Sequence, residues 1–235
     1  MAVTFDPESW NRVYDNPHDI KDFVFRRGAE LARDSCRELI RSGHRWLDLG
    51  CGTGQLMQWL SEAGACVVGV DHDLRMIEFT RRKAGGELRG VVAQGERLPF
   101  GDATLDGVVA TSVMGCIPEA KCIYAEMYRV LRPHGCAVLT FTNRASWLLK
   151  LNYLATRPGG TKYYLYDAAG VTRELEGLGF QVLQTRFYNF VLRAGGMLLP
   201  PPSLARRLDG LGRHLFSRHW ARNFIVVAQK RSAVR

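Results

Sequence analysis

The sequence has few of the features that mark membrane-spanning, secreted or zinc-binding proteins. None of its apolar runs approaches the roughly 20 residues of a membrane-spanning helix, and its N-terminus lacks the basic segment and apolar run of a secretion signal. Its six cysteines lie singly, without the Cys-x-x-Cys pairs of a zinc site. We therefore expect a cytoplasmic protein with reduced cysteines and no bound metal ion.

Acidic residues are also scarce relative to basic ones. The chain has 23 Asp and Glu residues against 32 Lys and Arg residues, which gives a net charge of +9. This balance favours an acidic partner, such as nucleic acid, an anionic membrane, an acyl carrier protein or a phosphorylated substrate. An arginine-rich surface that only keeps the protein soluble explains the same charge, and the sequence leaves both interpretations open.

Apolar runs that alternate with amphipathic stretches predict the fold. A chain of 235 residues with 46% hydrophobic composition can form one core, so we expect a single domain over 1–235. Continuous apolar strands joined by helices indicate an α/β fold, a Rossmann-like, doubly wound, seven-stranded and mostly parallel sheet. The predicted strands are Arg45–Leu49, Cys66–Val70, Gly90–Ala93, Leu105–Ala110, Cys136–Thr142, Phe180–Tyr188 and Asn223–Gln229.

Three segments outside this pattern are expected to cover the sheet. Residues 1–40 predict a helical lid, while 144–168 and 190–222 predict helical or loop insertions that form a substrate cap. In the last segment, leucines alternate with Arg206 and Arg207. A helix of this kind binds an anionic membrane or a lipid-like substrate. The same pattern also fits a helix that packs on the core and exposes its arginines to solvent.

A glycine-rich loop, Asp48–Gly54, follows the first strand. Gly50 and Gly52 allow a tight turn and a close approach of backbone to a ligand. The spacing Gly-x-Gly-x-Gly differs from the Gly-x-Gly-x-x-Gly of nicotinamide dinucleotide enzymes. Asp71 ends the second strand, where an acid is placed to accept hydrogen bonds from both ribose hydroxyls of a nucleotide-like cofactor.

A series of motifs in order resembles one enzyme family. The motifs are the glycine loop, Asp71, Leu98–Phe100, Leu105–Asp106 and Arg129–Gly135. Together they resemble the class I S-adenosylmethionine-dependent methyltransferases, and most of all the small-molecule branch that includes the ubiquinone and menaquinone C-methyltransferases. The resemblance extends over about Arg45–Asn143.

The resemblance implies S-adenosylmethionine as cofactor, with S-adenosylhomocysteine as product, and it implies a set of binding residues. The loop backbone would hold the methionine part, Asp71 the ribose, and His72 with Met76 the adenine. Gln94 stands where the family usually has Asp, and its side-chain oxygen can still accept from the adenine amine. Tyr14 is either part of a lid over the cofactor or a packing residue. The full set of implied cofactor-binding residues is Tyr14, Asp48, Gly50, Cys51, Gly52, Gly54, Asp71, His72, Met76, Gln94, Gly95, Glu96 and Thr111.

No residue of the sequence is assigned as a catalytic base, although His214 and His219 lie in the late insertion. The Asn/Asp-Pro-Pro-Tyr/Phe motif of base-directed N-methyltransferases is absent after the fourth strand, where Ala110–Val113 stands. We therefore expect a small, apolar or amphipathic acceptor that is methylated on O, N or C, and no DNA substrate. Two alternatives stay open: an RNA or protein methyltransferase, and a catalytically silent protein that only binds ligands.

Overall fold

The structure is a computed structural model that describes residues 6–15, 20–117, 120–155, 164–194, 197–199, 201, 203–204, 207 and 218–232. Within them the helices are α1 Pro7–Asp15, α2 Ile20–Leu39, α3 Gln55–Glu62, α4 Leu74–Lys83, α5 Lys121–Val130, α6 Trp147–Ala155 and α7 Ala168–Gly177. The strands are β1 Arg45–Leu49, β2 Cys66–Asp71, β3 Arg89–Val92, β4 Leu105–Ala110, β5 Leu131–Thr142, β6 Phe180–Tyr188, β7 Leu192–Ala194, β8 Met197–Leu199 and β9 Asn223–Lys230. A 3-10 turn covers Met114–Cys116.

Seven of the described strands form one sheet in the order β3-β2-β1-β4-β5-β9-β6, and β7 pairs with β8 separately. The first five strands pair in parallel. Strand β9 runs antiparallel to both β5 and β6. The order reverses between β1 and β4, and ligands of doubly wound sheets bind at such a switch point, outside the carboxyl ends of the strands. The predicted α/β, doubly wound, mostly parallel sheet is confirmed.

Buried apolar side chains cover both faces of this sheet. One cluster packs α5 and α7 on the sheet through residues such as Tyr124, Phe141 and Phe224. A second cluster packs α2 and α3 on the opposite face and contains Leu31 and Trp46. The helix α2 therefore belongs to the core layer, although it lies within the segment 1–40 for which the sequence predicts a lid. Within this segment, α1 remains the candidate for the predicted lid.

Two of the sequence motifs have structural explanations. Asp106 accepts the amide of Arg45 through Oδ2 at 2.8 Å and forms an ion pair with Arg132 through Oδ1 at 2.8 Å. Arg129 donates to the carbonyl oxygens of Phe100 and Leu98 at 2.8 and 3.1 Å. These bonds join the segments around β4 and α5, at the edge of the sheet where β1 begins.

Strand β5 begins five residues earlier than predicted. Leu131 pairs with Leu105, and the next registered pair joins Cys136 to Gly107, so residues 132–135 form a bulge. Because residues 132–135 are not apolar, the sequence pattern predicts the strand only from Cys136. The preceding helix, α5, ends at Val130.

The described helices include none that is long and apolar enough to cross a membrane. Much of the segment 190–222 lies outside the described residues, including Arg206 and His214. The segment 190–222, predicted as helix or loop, contains the paired strands β7 and β8. That 144–168 and 190–222 cap the substrate stays a prediction.

We expect Gly107→Ala to lower the free energy of unfolding by about 1–3 kcal/mol, the cost of an overpacked core position. A Cβ at Gly107 would lie 2.4 Å from Cε2 of Trp46, which is itself buried. Urea unfolding measures the change. The matched control is Gly177→Ala, where a Cβ meets nothing within 4 Å, so this variant should keep or slightly raise stability. Equal effects at both positions would contradict the packing argument.

Candidate functional site

The glycine loop between β1 and α3 adopts a backbone that only glycine accommodates readily. Gly50, Gly52 and Gly54 have φ angles of +70°, +52° and +75°, a region that L side chains rarely enter. A Cβ at Gly50 would also lie 2.1 Å from Cγ2 of Val113, and one at Gly54 would lie 2.6 Å from Cγ2 of Thr80. All three glycines therefore meet a conformational requirement, and Gly50 and Gly54 also meet a steric one.

Asp71, at the carboxyl end of β2, accepts hydrogen bonds from the backbone on both sides of the loop. Its Oδ2 accepts the amide of Gly52 at 2.9 Å, and its Oδ1 accepts the amide of Asp73 at 3.0 Å. His72 Nδ1 lies 3.3 Å from Oδ1. Since each carboxylate oxygen can accept two hydrogen bonds, the side chain retains capacity for ligand hydroxyls. Asp73, and not Asp71, caps α4 by accepting the amide of Arg75 at 2.9 Å.

Asp48, near the end of β1, is the most unusual ionisable group of the site. It is 2% exposed, and its Oδ2 has no hydrogen-bond partner. The carboxyl group accepts the amide of Met57, in the first turn of α3, whose N-cap residue Gly54 has no side chain to do so. Burial, reinforced by the negative charge of Asp71, raises the pKa of Asp48 to about 7.

The segment after β4 closes the other side of the loop. Val113 lies against Gly50, and the amide of Ser112 donates to Oγ1 of Thr140 on β5 at 2.9 Å. Ser112 has a φ of +60°, so the chain turns sharply directly after Thr111. These contacts bring Thr111 to the switch point between β1 and β4, where its side chain is half-buried.

Helix α1 packs beside the loop. A Cβ at Gly52 would lie 3.0 Å from Nε1 of Trp10, and the Trp10 ring contacts Phe25 of α2 edge to face. Asn11 Oδ1 accepts hydrogen bonds from Gln55 Nε2 at 3.2 Å and from Lys83 Nζ at 2.8 Å. The helix is thus fastened to α3 and α4 at the edge of the glycine loop.

The remaining predicted cofactor residues lie around the same strand ends. Met76 and Cys51 are buried, and a Cβ at Gly69 of β2 would lie 2.7 Å from the Cys51 thiol, so the thiol packs on that strand. Burial raises the pKa of Cys51 well above its usual value. Gln94 and Glu96 are exposed after β3, with Gly95 half-buried between them. Tyr14 belongs to α1, and its side chain lies outside the described residues.

A buried asparagine organises the neighbouring part of the strand edge. Asn143, directly after β5, donates from Nδ2 to the carbonyl oxygens of Arg218 at 2.7 Å and Ala221 at 2.8 Å. Its Oδ1 accepts the amide of Ala145 at 3.0 Å. One side chain thereby joins β5, the start of α6 and the segment before β9. The sequence does not reveal this function, because two of the three partners of Asn143 lie more than 70 residues away.

The described side chains at this edge offer weak candidates for a general base. Tyr166 donates from its hydroxyl to the carbonyl oxygen of Ile117 at 2.7 Å, and burial raises its pKa to about 12. Burial also raises the pKa of the half-buried Cys116 thiol. The ring of His219 stacks on Trp147, with centroids 5.8 Å apart. The arrangement suits chemistry that depends on binding and alignment.

Comparison with known proteins agrees with this geometry. Residues 47–139 match the family described as "Methyltransferase domain". The chain is 30% identical over 193 residues to a demethylmenaquinone methyltransferase of Mycobacterium sp. (strain KMS), a match that covers 72% of this chain and 83% of that protein. It is 33% identical over 157 residues to 24-methylenesterol C-methyltransferase 2 of rice. That match covers 63% of this chain but only 42% of the rice protein.

A solved structure supports the fold assignment. The magnesium protoporphyrin IX methyltransferase of Synechocystis PCC 6803, solved with S-adenosylhomocysteine bound, aligns with a TM-score of 0.66. The alignment covers 95% of this chain and 93% of that chain, at 20% sequence identity. At this identity the likeness concerns the fold alone.

Asp48→Asn should remove a pH-dependent loss of stability. Because the pKa of Asp48 is raised from the ordinary value of about 4 to about 7 in the folded state, its burial costs little at acidic pH. The cost grows as the pH rises from about 4 to about 7 and is constant above that. Asn keeps an acceptor for the Met57 amide without the charge.

Urea unfolding of both proteins between these pH values measures the effect. The stability of the wild type relative to Asp48→Asn should fall as the pH rises. The matched control is Asp34→Asn at an exposed position of α2, which should give a curve parallel to the wild type. A parallel curve for Asp48→Asn as well would contradict the raised pKa.

Proposed function

The chain belongs to the class I S-adenosylmethionine-dependent methyltransferases, in their small-molecule branch, and we propose that it transfers the methyl group of S-adenosylmethionine to a small, apolar or amphipathic molecule. The glycine loop with Asp71 is the observation that carries this proposal. It combines three positive φ angles, two glycine positions where a Cβ would clash and an acidic side chain beside the loop amides.

The residues around the loop fit the implied cofactor. The unpartnered Oδ2 of Asp48 and the carboxylate of Asp71 place two acidic groups at adjacent strand ends, which suits a ligand that carries an ammonium and a sulfonium group. The backbone of Gly50–Gly54 would hold the methionine part, Asp71 the ribose hydroxyls, and His72 and Met76 would flank the adenine. Gln94 and Gly95, after β3, would border the adenine amine.

When bound, the cofactor supplies a methyl group on a positively charged sulfur, which is open to direct displacement by a nucleophile. The protein's contribution is then to hold the acceptor in line and to exclude water, and such positioning is worth about 7–11 kcal/mol. Asn143 would fix the walls of the acceptor site by joining β5, α6 and the segment before β9. Helix α1, fastened through Asn11, would close the cofactor side.

Two observations support an apolar or amphipathic acceptor. Apolar residues follow the carboxyl ends of β4 and β5 along the chain, Val113 and Met114 after β4 and Trp147 after β5. The two relatives are named for methyl transfer to demethylmenaquinone and to a 24-methylenesterol, which also favours an apolar acceptor.

We expect calorimetric titration with S-adenosylhomocysteine to give saturable binding that Asp71→Ala weakens at least about tenfold. The loss follows from removing charged hydrogen bonds to the ribose, each worth about 1.5–3 kcal/mol. Asp73→Ala is the matched control, because it removes the cap of α4 and leaves the Asp71 carboxylate in place. No binding by folded wild-type protein, or an equal loss in both variants, would count against the cofactor assignment.

The methyl acceptor can be sought with S-adenosylmethionine labelled on the methyl group. We expect the label to appear in an organic extract when the protein is given quinols, prenylated phenols or sterols, and not with RNA or peptides. Asp71→Ala should transfer much less label to the same acceptor. Label that enters only RNA or protein would overturn the small-molecule assignment. Cofactor binding without transfer to any acceptor class would favour a catalytically silent protein.

A further inference from the structure

Large apolar side chains are exposed on the outer side of α6 and on the segment before β9. Trp147 is 50% exposed, Leu151 is 48% exposed and Trp220 is 39% exposed. The two tryptophan rings meet edge to face, with centroids 5.5 Å apart. Leu151 follows Trp147 by four residues on α6, so the two lie on one side of the helix. We call these three residues the α6 patch.

The backbone that carries the α6 patch is firmly held. The amide of Trp147 donates to the carbonyl oxygen of His219 at 2.7 Å, and Asn143 binds the carbonyl oxygens of Arg218 and Ala221. Leu148, the residue after Trp147 on α6, is buried and anchors the helix. The exposure of the patch is therefore a property of the folded structure and not of a frayed helix end. Helix α6 follows β5 in the chain, so the patch lies near the carboxyl end of β5, at the edge of the sheet that holds the candidate site.

Basic residues without acidic ones accompany the α6 patch. Arg144, Lys150 and Arg218 are exposed beside it. In sequence, residues 143–166 contain four basic residues and no acidic one, and residues 189–235 contain nine basic residues and a single acid, Asp209. The rest of the chain holds 19 basic and 22 acidic residues. The positive net charge thus comes entirely from the segments that lead into and away from the patch.

We propose that the α6 patch docks the protein on the surface of an anionic lipid bilayer. Tryptophan is enriched at the boundary between headgroups and acyl chains, and an apolar helix side flanked by Arg and Lys is the usual design of an interfacial helix. Each cation near an anionic surface adds to the attraction. An anionic bilayer would bind both the exposed apolar side chains and the basic residues beside them.

Two other occupants fit the patch less well. A second copy of the chain, docked symmetrically through the same patch, would bring Arg144, Lys150 and Arg218 against their equivalents, and like charges repel across an interface. A nucleic acid would pair with the cations, but base stacking needs free aromatic faces. The Trp147 ring is already stacked on His219, and Leu151 would gain no partner.

Docking of this kind adds to the proposed function, and its biological significance rests on that function. Because the patch adjoins the carboxyl ends of β5 and of the parallel strands beside it, the bound protein would turn the opening of the acceptor site toward the bilayer. An amphipathic acceptor could then enter without crossing water. Vesicle binding itself needs neither cofactor nor acceptor, so its failure and the failure of methyl transfer are separate results.

The test is sedimentation of the full-length protein with vesicles of phosphatidylcholine, with or without phosphatidylglycerol, at physiological ionic strength. We expect the wild type to sediment with the anionic vesicles only. Trp147→Ser with Trp220→Ser, and separately Arg144→Glu with Lys150→Glu, should each weaken binding at least about tenfold. The matched controls are Leu183→Ser on β6, where Leu183 is 47% exposed, and Arg82→Glu with Arg89→Glu, at exposed positions of α4 and β3. Both controls should bind like the wild type.

A second measurement does not depend on the folding of any variant. Brominated lipids in the anionic vesicles should quench part of the tryptophan fluorescence of the wild type, because Trp147 and Trp220 would reach the acyl boundary. Absence of sedimentation or of quenching would overturn the proposal. An equal loss of binding in the Arg82→Glu and Arg89→Glu control would also overturn it, because it would indicate attraction by net charge alone. A dimer that the tryptophan variant dissociates, or tRNA binding that needs the same tryptophans, would assign the patch to another partner.

Discussion

The hydrogen bond from the amide of Gly52 to Oδ2 of Asp71, 2.9 Å long, closes the glycine loop onto the tip of the neighbouring strand. The carbonyl oxygen of the same glycine accepts Oγ1 of Thr80 at 2.9 Å. One residue thus ties the end of β1 to both β2 and α4. The position of Gly50 under Val113, and with it the approach of the segment after β4, depends on the loop being held in this conformation.

Beneath this loop, the charges of two carboxyl groups are not balanced by basic side chains in the described part of the chain. Asp48 and Asp71 lie at adjacent strand ends, and in the described part of the chain neither forms an ion pair with Lys or Arg. Buried negative charge without a cation is costly, and the raised pKa of Asp48 reflects this cost. A cationic ligand beside the two carboxyl groups would lower this cost. The same argument connects the unpartnered oxygen of Asp48 to the proposed cofactor.

The parts that the sequence predicted are those whose cause is local. An apolar run, a glycine spacing or an acid at a strand end carries its own signature, so the strands, the loop and Asp71 were found without tertiary information. The function of Asn143 and the contact of Trp10 with Gly52 were not, because each depends on partners distant in sequence. The early start of β5 was missed for a related reason: only pairing with Leu105 identifies Leu131 as a strand residue.

Basic and acidic residues are distributed differently between the part of the chain that matches the family and the later segments. Residues 47–139, the part that matches the family, contain nine basic and eleven acidic residues and include the glycine loop with Asp48 and Asp71. In the proposed function, the loop backbone and these two carboxyl groups hold the cofactor, which places few demands on the side chains of the later segments. Those segments carry the surplus of basic residues and the exposed apolar side chains of the α6 patch. On this proposal the glycine loop constrains only the methyl donor, and the choice of acceptor depends on α6 and the segment before β9.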